Sequence, residues 1–135
     1  MTESQNLAAL GWKPRKVPGL LDRIGPLWTR RENEQWGYGL LLDESHCNGA
    51  GMVHGGVVTT LADHALSAIA WEAAERLPCI TIQLGTQYLA PVRPGDFLEA
   101  RGMVIQRGRS LLFMEGRLSV GERDVASASG VWKRI

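Results

Sequence analysis

Two cysteines in 135 residues, Cys47 and Cys79, cannot make a disulfide framework and read as free thiols in a reducing compartment. No apolar run approaches the ~18 residues that a membrane-crossing helix needs. Charge of one sign is also missing. Fifteen Lys and Arg against 14 Asp and Glu leave a net +1, so no basic surface suggests a nucleic acid or an anionic membrane as partner. The first residues, Met1 to Asn6, lack the basic and apolar blocks of a secretory leader, which makes a cytoplasmic protein the expectation. The serine-hydrolase turn G-x-S-x-G is not found. His46, Cys47, His54 and His64 have none of the zinc-ligand spacings, no second ligand pair exists, and no metal is expected.

What is present is ordinary globular material, 44% apolar and 21% charged, of a length that suits one domain. The single domain is expected to span 1–135, with 1–24 as an N-terminal extension holding short helical segments. Within it Pro14 and Pro18 argue for an irregular, basic, solvated stretch after a first short helix. Trp12, Trp28, Trp36, Trp71 and Trp132 are scattered, and packing is the first reading of each. Trp71 is the one considered for lining a pocket, because it follows Asp63 by eight residues on the same helix.

Apolar periodicity divides the rest. Leu27 to Glu32 and Gln35 to Asp43 read as two strands about a turn at Asn33-Glu34. From Gly55 to Arg76, Val58, Leu61, Ala62, Ala65, Leu66 and Ile69 follow the spacing of a helix with a broad buried face. Cys79 to Leu89, Phe97 to Gln106, Leu111 to Val120 and Asp124 to Lys133 have the character of strands, with turns at Gly95, Gly108 and Gly121. Two strands, a long helix and four antiparallel strands make an α+β fold.

The chemistry gathers where the long helix begins. Gly55 and Gly56 form the only Gly-Gly pair, so nothing blocks approach to the free N–H groups of the first helical turn. A carbonyl oxygen gaining negative charge would be stabilised there. Asp63, a little over two turns later, is expected to turn its carboxylate toward the same space. An oxyanion site and a carboxylate suit acyl transfer or hydrolysis.

The residues His46, Asn48, Gly51, His54, Gly55, Gly56 and Asp63 fit H-x-N-x-x-G-x-x-H-G-G-x(7)-D. With Gln87 to Asp96 and Gly108-Arg109-Ser110, this resembles the hotdog-fold acyl-CoA thioesterases of the phenylacetate-degradation (PaaI-like) type. The resemblance runs from about Gly25 onward. It implies an antiparallel sheet wrapped around one long helix, and hydrolysis of a small aromatic or short- to medium-chain acyl-CoA. It also implies roles: Asp63 as general base or nucleophile, the Gly55 N–H as oxyanion donor, and Asn48, His54 and Thr81 as supporting groups. Arg93, Arg107 and Arg109 lie at late turns and are candidates to meet the phosphates of coenzyme A, Arg93 and Arg109 first, though the resemblance singles out no one of them. Coenzyme A is part of the substrate rather than a cofactor. In such proteins the asparagine lies near the acid of a second subunit, so a homodimer or a homotetramer of paired dimers is implied.

Two rival functions remain from the same reading. A non-catalytic acyl-CoA binder would keep the pocket without the chemistry. A hotdog hydratase or dehydratase would need a His-Phe-Pro loop and a helix glutamate, where this chain has Asn48 and Thr60.

Overall fold

The structure, a computed structural model, describes residues 1–135. Its elements in order are α1 (Glu3–Ala9), β1 (Lys13–Arg15), α2 (Leu20–Ile24), β2 (Leu27–Glu32), β3 (Gln35–Leu41), α3 (Gly55–Ala73), β4 (Cys79–Tyr88), β5 (Phe97–Arg107), β6 (Leu111–Val120) and β7 (Arg123–Arg134). The strands form one antiparallel sheet in the order β1-β2-β3-β5-β6-β7-β4, and α3 lies across one face. This is the α+β arrangement expected from the pattern of apolar residues.

Alternation decides which side chains meet the helix. On β6, Leu112, Met114 and Leu118 are buried while Phe113, Glu115 and Arg117 face out. From α3, Leu61, Ala62, Ala65, Leu66 and Ala70 complete the core. Small residues bring the layers close: a Cβ on Gly102 would overlap Leu66, so the glycine in β5 is what lets α3 settle on the sheet. Truncating Leu66 to Ala would cost roughly 2–5 kcal/mol. The helix stops at Ala73 rather than continuing to Arg76, because Glu75 and Arg76 take left-handed φ values of 58° and 64°.

The N-terminal stretch departs from expectation. Residues 13–15 are a short edge strand, Pro14 included, paired with β2 so that Pro14 lies opposite Trp28. An edge strand tolerates a residue with no N–H to donate. Leu7 from α1 joins Trp12 and Trp28 in a second small core, against Leu41 and Phe97, on the sheet face away from α3. Trp12 meets Phe97 edge-on at 4.9 Å, and the Arg30 guanidinium lies 4.6 Å above the Trp12 ring. Beside it Glu32 accepts from Arg101 Nε and Nη2, both at 2.7 Å, and from Arg30. Those bonds, Arg101 first, hold the Glu32 carboxyl down at about 2.

Of the five tryptophans, Trp12, Trp28 and Trp132 are buried, Trp36 is partly so, and Trp71 is 41% exposed. Packing therefore does not account for Trp71. It borders a cleft of about 350 Å³ with Trp36, Tyr38 and Ala68. That cleft lies on the flank of α3 that carries Ala68, roughly 140° around the helix from Asp63.

Candidate active site

The loop before α3 is fixed from within. His46 is 5% exposed; its Nδ1 accepts from the Asp43 amide at 2.9 Å, and its Nε2 faces the Ile24 carbonyl at 2.6 Å. These partners assign the neutral ring with its proton on Nε2, so its 3.2 Å approach to Asp43 Oδ1 is not an ion pair. Asn48 Oδ1 accepts from the amides of Ala50 (2.9 Å) and Met52 (3.2 Å), folding the turn that leads to the helix. Its side-chain NH2 makes no bond within the chain.

His54 caps α3. Its carbonyl accepts from the amides of Val57 and Val58, and its Nδ1 accepts from the Gly56 amide at 2.9 Å. Those contacts use every N–H of the first turn except that of Gly55, which has no partner in the chain. Across Gly55 lies Tyr88 from the end of β4. Its Oη donates to the Gly55 carbonyl at 3.0 Å and accepts from Thr59 Oγ1 at 2.6 Å; Thr59 Oγ1 lies 3.1 Å from Thr86 Oγ1. Tyr88 also walls an apolar cleft of about 210 Å³ beside Gly55, with Met52, Val53, Val58, Ala90 and Val92.

Asp63 is half-buried on the flank of α3 that faces β4, where Thr81 Oγ1 donates to its Oδ1 at 2.8 Å. A carboxylate in a largely apolar helix thus has a fixed hydrogen-bond donor. The next residue, His64, turns to the opposite flank and meets the Tyr38 ring edge-on at 6.0 Å. Burial lowers its pKa, opposed by the Asp63 charge, and it makes no contact with the candidate groups.

Asp63 and Thr81 are thus brought together, as are His54 and Gly55. Asn48 has no hydrogen bond to either pair. The expectation that Gly55 and Asp63 share one space within a chain needs correction. Eight residues of helix place them about 12 Å apart along the axis. Attack requires a donor within about 3 Å of the carbonyl oxygen and a nucleophile within about 3.5 Å of its carbon. Within one chain the Gly55 N–H and the Asp63 carboxylate therefore do not meet at a single carbonyl.

Arg93 flanks the loop, with its amide donating to Asp96 and its Nη1 3.8 Å from Met52 Sδ. Arg109 is exposed in the β5–β6 turn and makes no ion pair. Thr59, Thr86 and Tyr88 escaped the sequence reading. Their signal was a matched period: Thr59 and Asp63 are four apart on the helix, and Thr86 and Tyr88 are two apart on the facing strand. No group of three or more His, Cys, Asp and Glu side chains converges, and no helix is long and apolar enough to cross a membrane.

Comparison with known proteins sets this geometry in a family. The family model for the Thioesterase superfamily matches residues 50–127. A Pseudomonas aeruginosa protein provisionally named an esterase is 41% identical over 126 residues, 90% of this chain and 93% of that one. Human acyl-coenzyme A thioesterase 13 is 30% identical over 73 residues, 53% of this chain and 51% of that protein. The Escherichia coli PaaI protein, from the phenylacetic acid degradation operon, superposes with a TM-score of 0.70 at 23% identity, over 78% of this chain and 81% of that chain. With its sheet packed on α3, the chain has the hotdog fold and belongs to the Thioesterase superfamily.

Proposed function

We propose that the protein hydrolyses acyl-CoA thioesters of small aromatic or short- to medium-chain acids in a site shared between two copies. The observation that carries this reading is the division of α3 into two half-sites: a free Gly55 N–H at its start and an Asp63 carboxylate, held by Thr81, about two turns on. A second copy supplies what each half lacks. Strand β4 is the natural seam. It is an edge strand of 10 residues with Ile80 and Ile82 more than half exposed, an unpaired edge of the kind that proteins cover. A two-fold axis at that edge would bring Gly55 and Asn48 of one copy toward Asp63 of the other. A dimer is the smallest assembly that serves, and a tetramer would pair two of them.

In the shared site the Gly55 N–H binds the thioester oxygen as it becomes an oxyanion. Asp63 either takes a proton from the attacking water or attacks the carbonyl carbon itself, giving an anhydride that water then opens. In both routes the C–S bond breaks, the thiolate leaves and is protonated, and the free acid is released. Thr81 holds Asp63 in place, the free amide NH2 of Asn48 contacts the water or the carbonyl, and Arg93 and Arg109 meet the phosphates of coenzyme A.

The test is thiol release from a panel of aromatic and aliphatic acyl-CoAs, with Asp63→Asn alongside. Loss of a general base or nucleophile lowers kcat by about 10²–10⁴. Turnover by Asp63→Asn close to wild type would overturn the reading. Mixing Asp63→Asn with Asn48→Ala restores activity only if the Asn48 of one copy works with the Asp63 of another. Acyl-CoA binding with no turnover by the wild type would instead mark a non-catalytic binder.

A further inference from the structure

The peptide unit between Gly55 and Gly56 is held at both of its polar ends by side chains. Its N–H, on Gly56, goes to His54 Nδ1 at 2.9 Å, and its C=O, on Gly55, accepts from Tyr88 Oη at 3.0 Å. The unit before it, His54–Gly55, has its carbonyl bonded to the amides of Val57 and Val58. Every polar atom of the two peptides that meet at Gly55 therefore has a partner except the Gly55 N–H. Glycine needs such restraint more than other residues, because without a Cβ it can leave helical dihedrals at little cost. The Tyr88 ring is close as well. A Cβ on Gly55 would lie 3.2–3.3 Å from Cζ, Cε1 and Oη of Tyr88, so the ring closes one side of the helix start.

Tyr88 is itself anchored. Its Oη is 2.6 Å from Thr59 Oγ1, one helical turn past Gly55, and Thr59 is bonded across to Thr86 on the strand that carries Tyr88. The hydroxyl thus ties the first turn of α3 to β4 at two points. The strand that holds Thr81 against Asp63 also holds Tyr88 against Gly55. We propose that Tyr88 is a positioning residue of the thioesterase reaction, its hydroxyl fixing the Gly55 carbonyl and so restraining the backbone at Gly55, whose N–H on the preceding peptide meets the thioester oxygen. This rests on the hydrolase reading above and on the oxyanion role of Gly55 within it.

Tyr88→Phe removes one oxygen and keeps the ring, so both the cleft wall and the crowding at Gly55 persist. A misaimed oxyanion donor costs transition-state binding more than substrate binding. The expected result is a kcat about ten- to a hundredfold lower, with KM within about twofold and Tm unchanged within error. A purely structural role would lower Tm, or would move KM and kcat together. Wild-type kcat in Tyr88→Phe, while Asp63→Asn is inactive, overturns the positioning role and leaves the hydrolase reading standing. If the wild type hydrolyses no acyl-CoA, the hydrolase reading falls and takes the catalytic part of the proposal with it. Amide hydrogen exchange at Gly56, whose N–H lies on the clamped peptide, is the second readout: it accelerates in Tyr88→Phe if the hydroxyl fixes this peptide. Unchanged exchange rules the clamp out whatever the activity.

Discussion

Replacing Thr81 with Val removes one hydroxyl and changes little else. Valine has the same branched shape and an equal preference for strands, so β4 keeps its pairing with β7. What is lost is the 2.8 Å bond from Thr81 Oγ1 to Asp63 Oδ1. A hydrogen bond to a charged group is worth about 1.5–3 kcal/mol. If Asp63 must be held to act, that energy appears in the barrier, and at 1.36 kcal/mol per decade kcat falls about 10- to 150-fold. The assay is thiol release from the best acyl-CoA of the panel, with kcat and KM fitted separately and Tm measured beside them. KM is expected to stay within about twofold, since the bond orients the reacting group rather than the substrate. A kcat within about twofold of wild type, with Asp63→Asn inactive, would refute the claim that Thr81 holds the acid.

Two further predictions concern charge. Glu32→Gln is expected to weaken the cluster with Arg101 and Arg30 by about 1–2 kcal/mol, discounted for its partial exposure. Because the folded Glu32 carboxyl sits at about 2 rather than 4.5, its contribution is full above 4.5 and is lost as pH falls toward 2. Denaturation curves of wild type and variant should therefore converge over that range; a constant gap would contradict the ion-pair account. His64 is half-buried, and that burial lowers its pKa below 6.5, so the stability tied to it is full above 6.5 and declines as pH falls beneath it. His64→Phe keeps a ring against Tyr38 and removes that slope. Tm measured across about pH 5 to 8 tests it, and an unchanged slope in the variant would count against His64 as its source.

The elements that carry function were largely legible in the sequence, for reasons of period. Residues 55–73 repeat apolar positions at helical spacing, and the strands from Phe97 to Arg134 alternate cleanly around Leu112, Met114, Leu118 and Trp132. The second core was not. Leu7, Trp12, Trp28 and Phe97 come from four separate segments, and nothing local in any of them announces that α1 covers the far face of the sheet. Pro14 argued against a strand that tertiary pairing at an edge allows. In the site, the glycine pair and Asp63 could be named from spacing, but their separation could not be judged until helical rise was applied to it. The Tyr88 contacts span 29 and 33 residues, so the matched periods on helix and strand do not say which residues meet. Thr81 entered through family resemblance alone, because a threonine in a strand needs no other explanation.

Strand β4 follows α3 in the chain, yet its only sheet partner is β7, with Cys79 opposite Arg134 and Tyr88 opposite Ala126. During synthesis every group proposed for the chemistry has left the ribosome well before the segment that seats two of them. Thr81 and Tyr88 wait for the last strand. A chain cut after Gly121 would contain each of these residues, and keep their bonds to α3 within reach, but lack the one strand that gives β4 its place in the sheet.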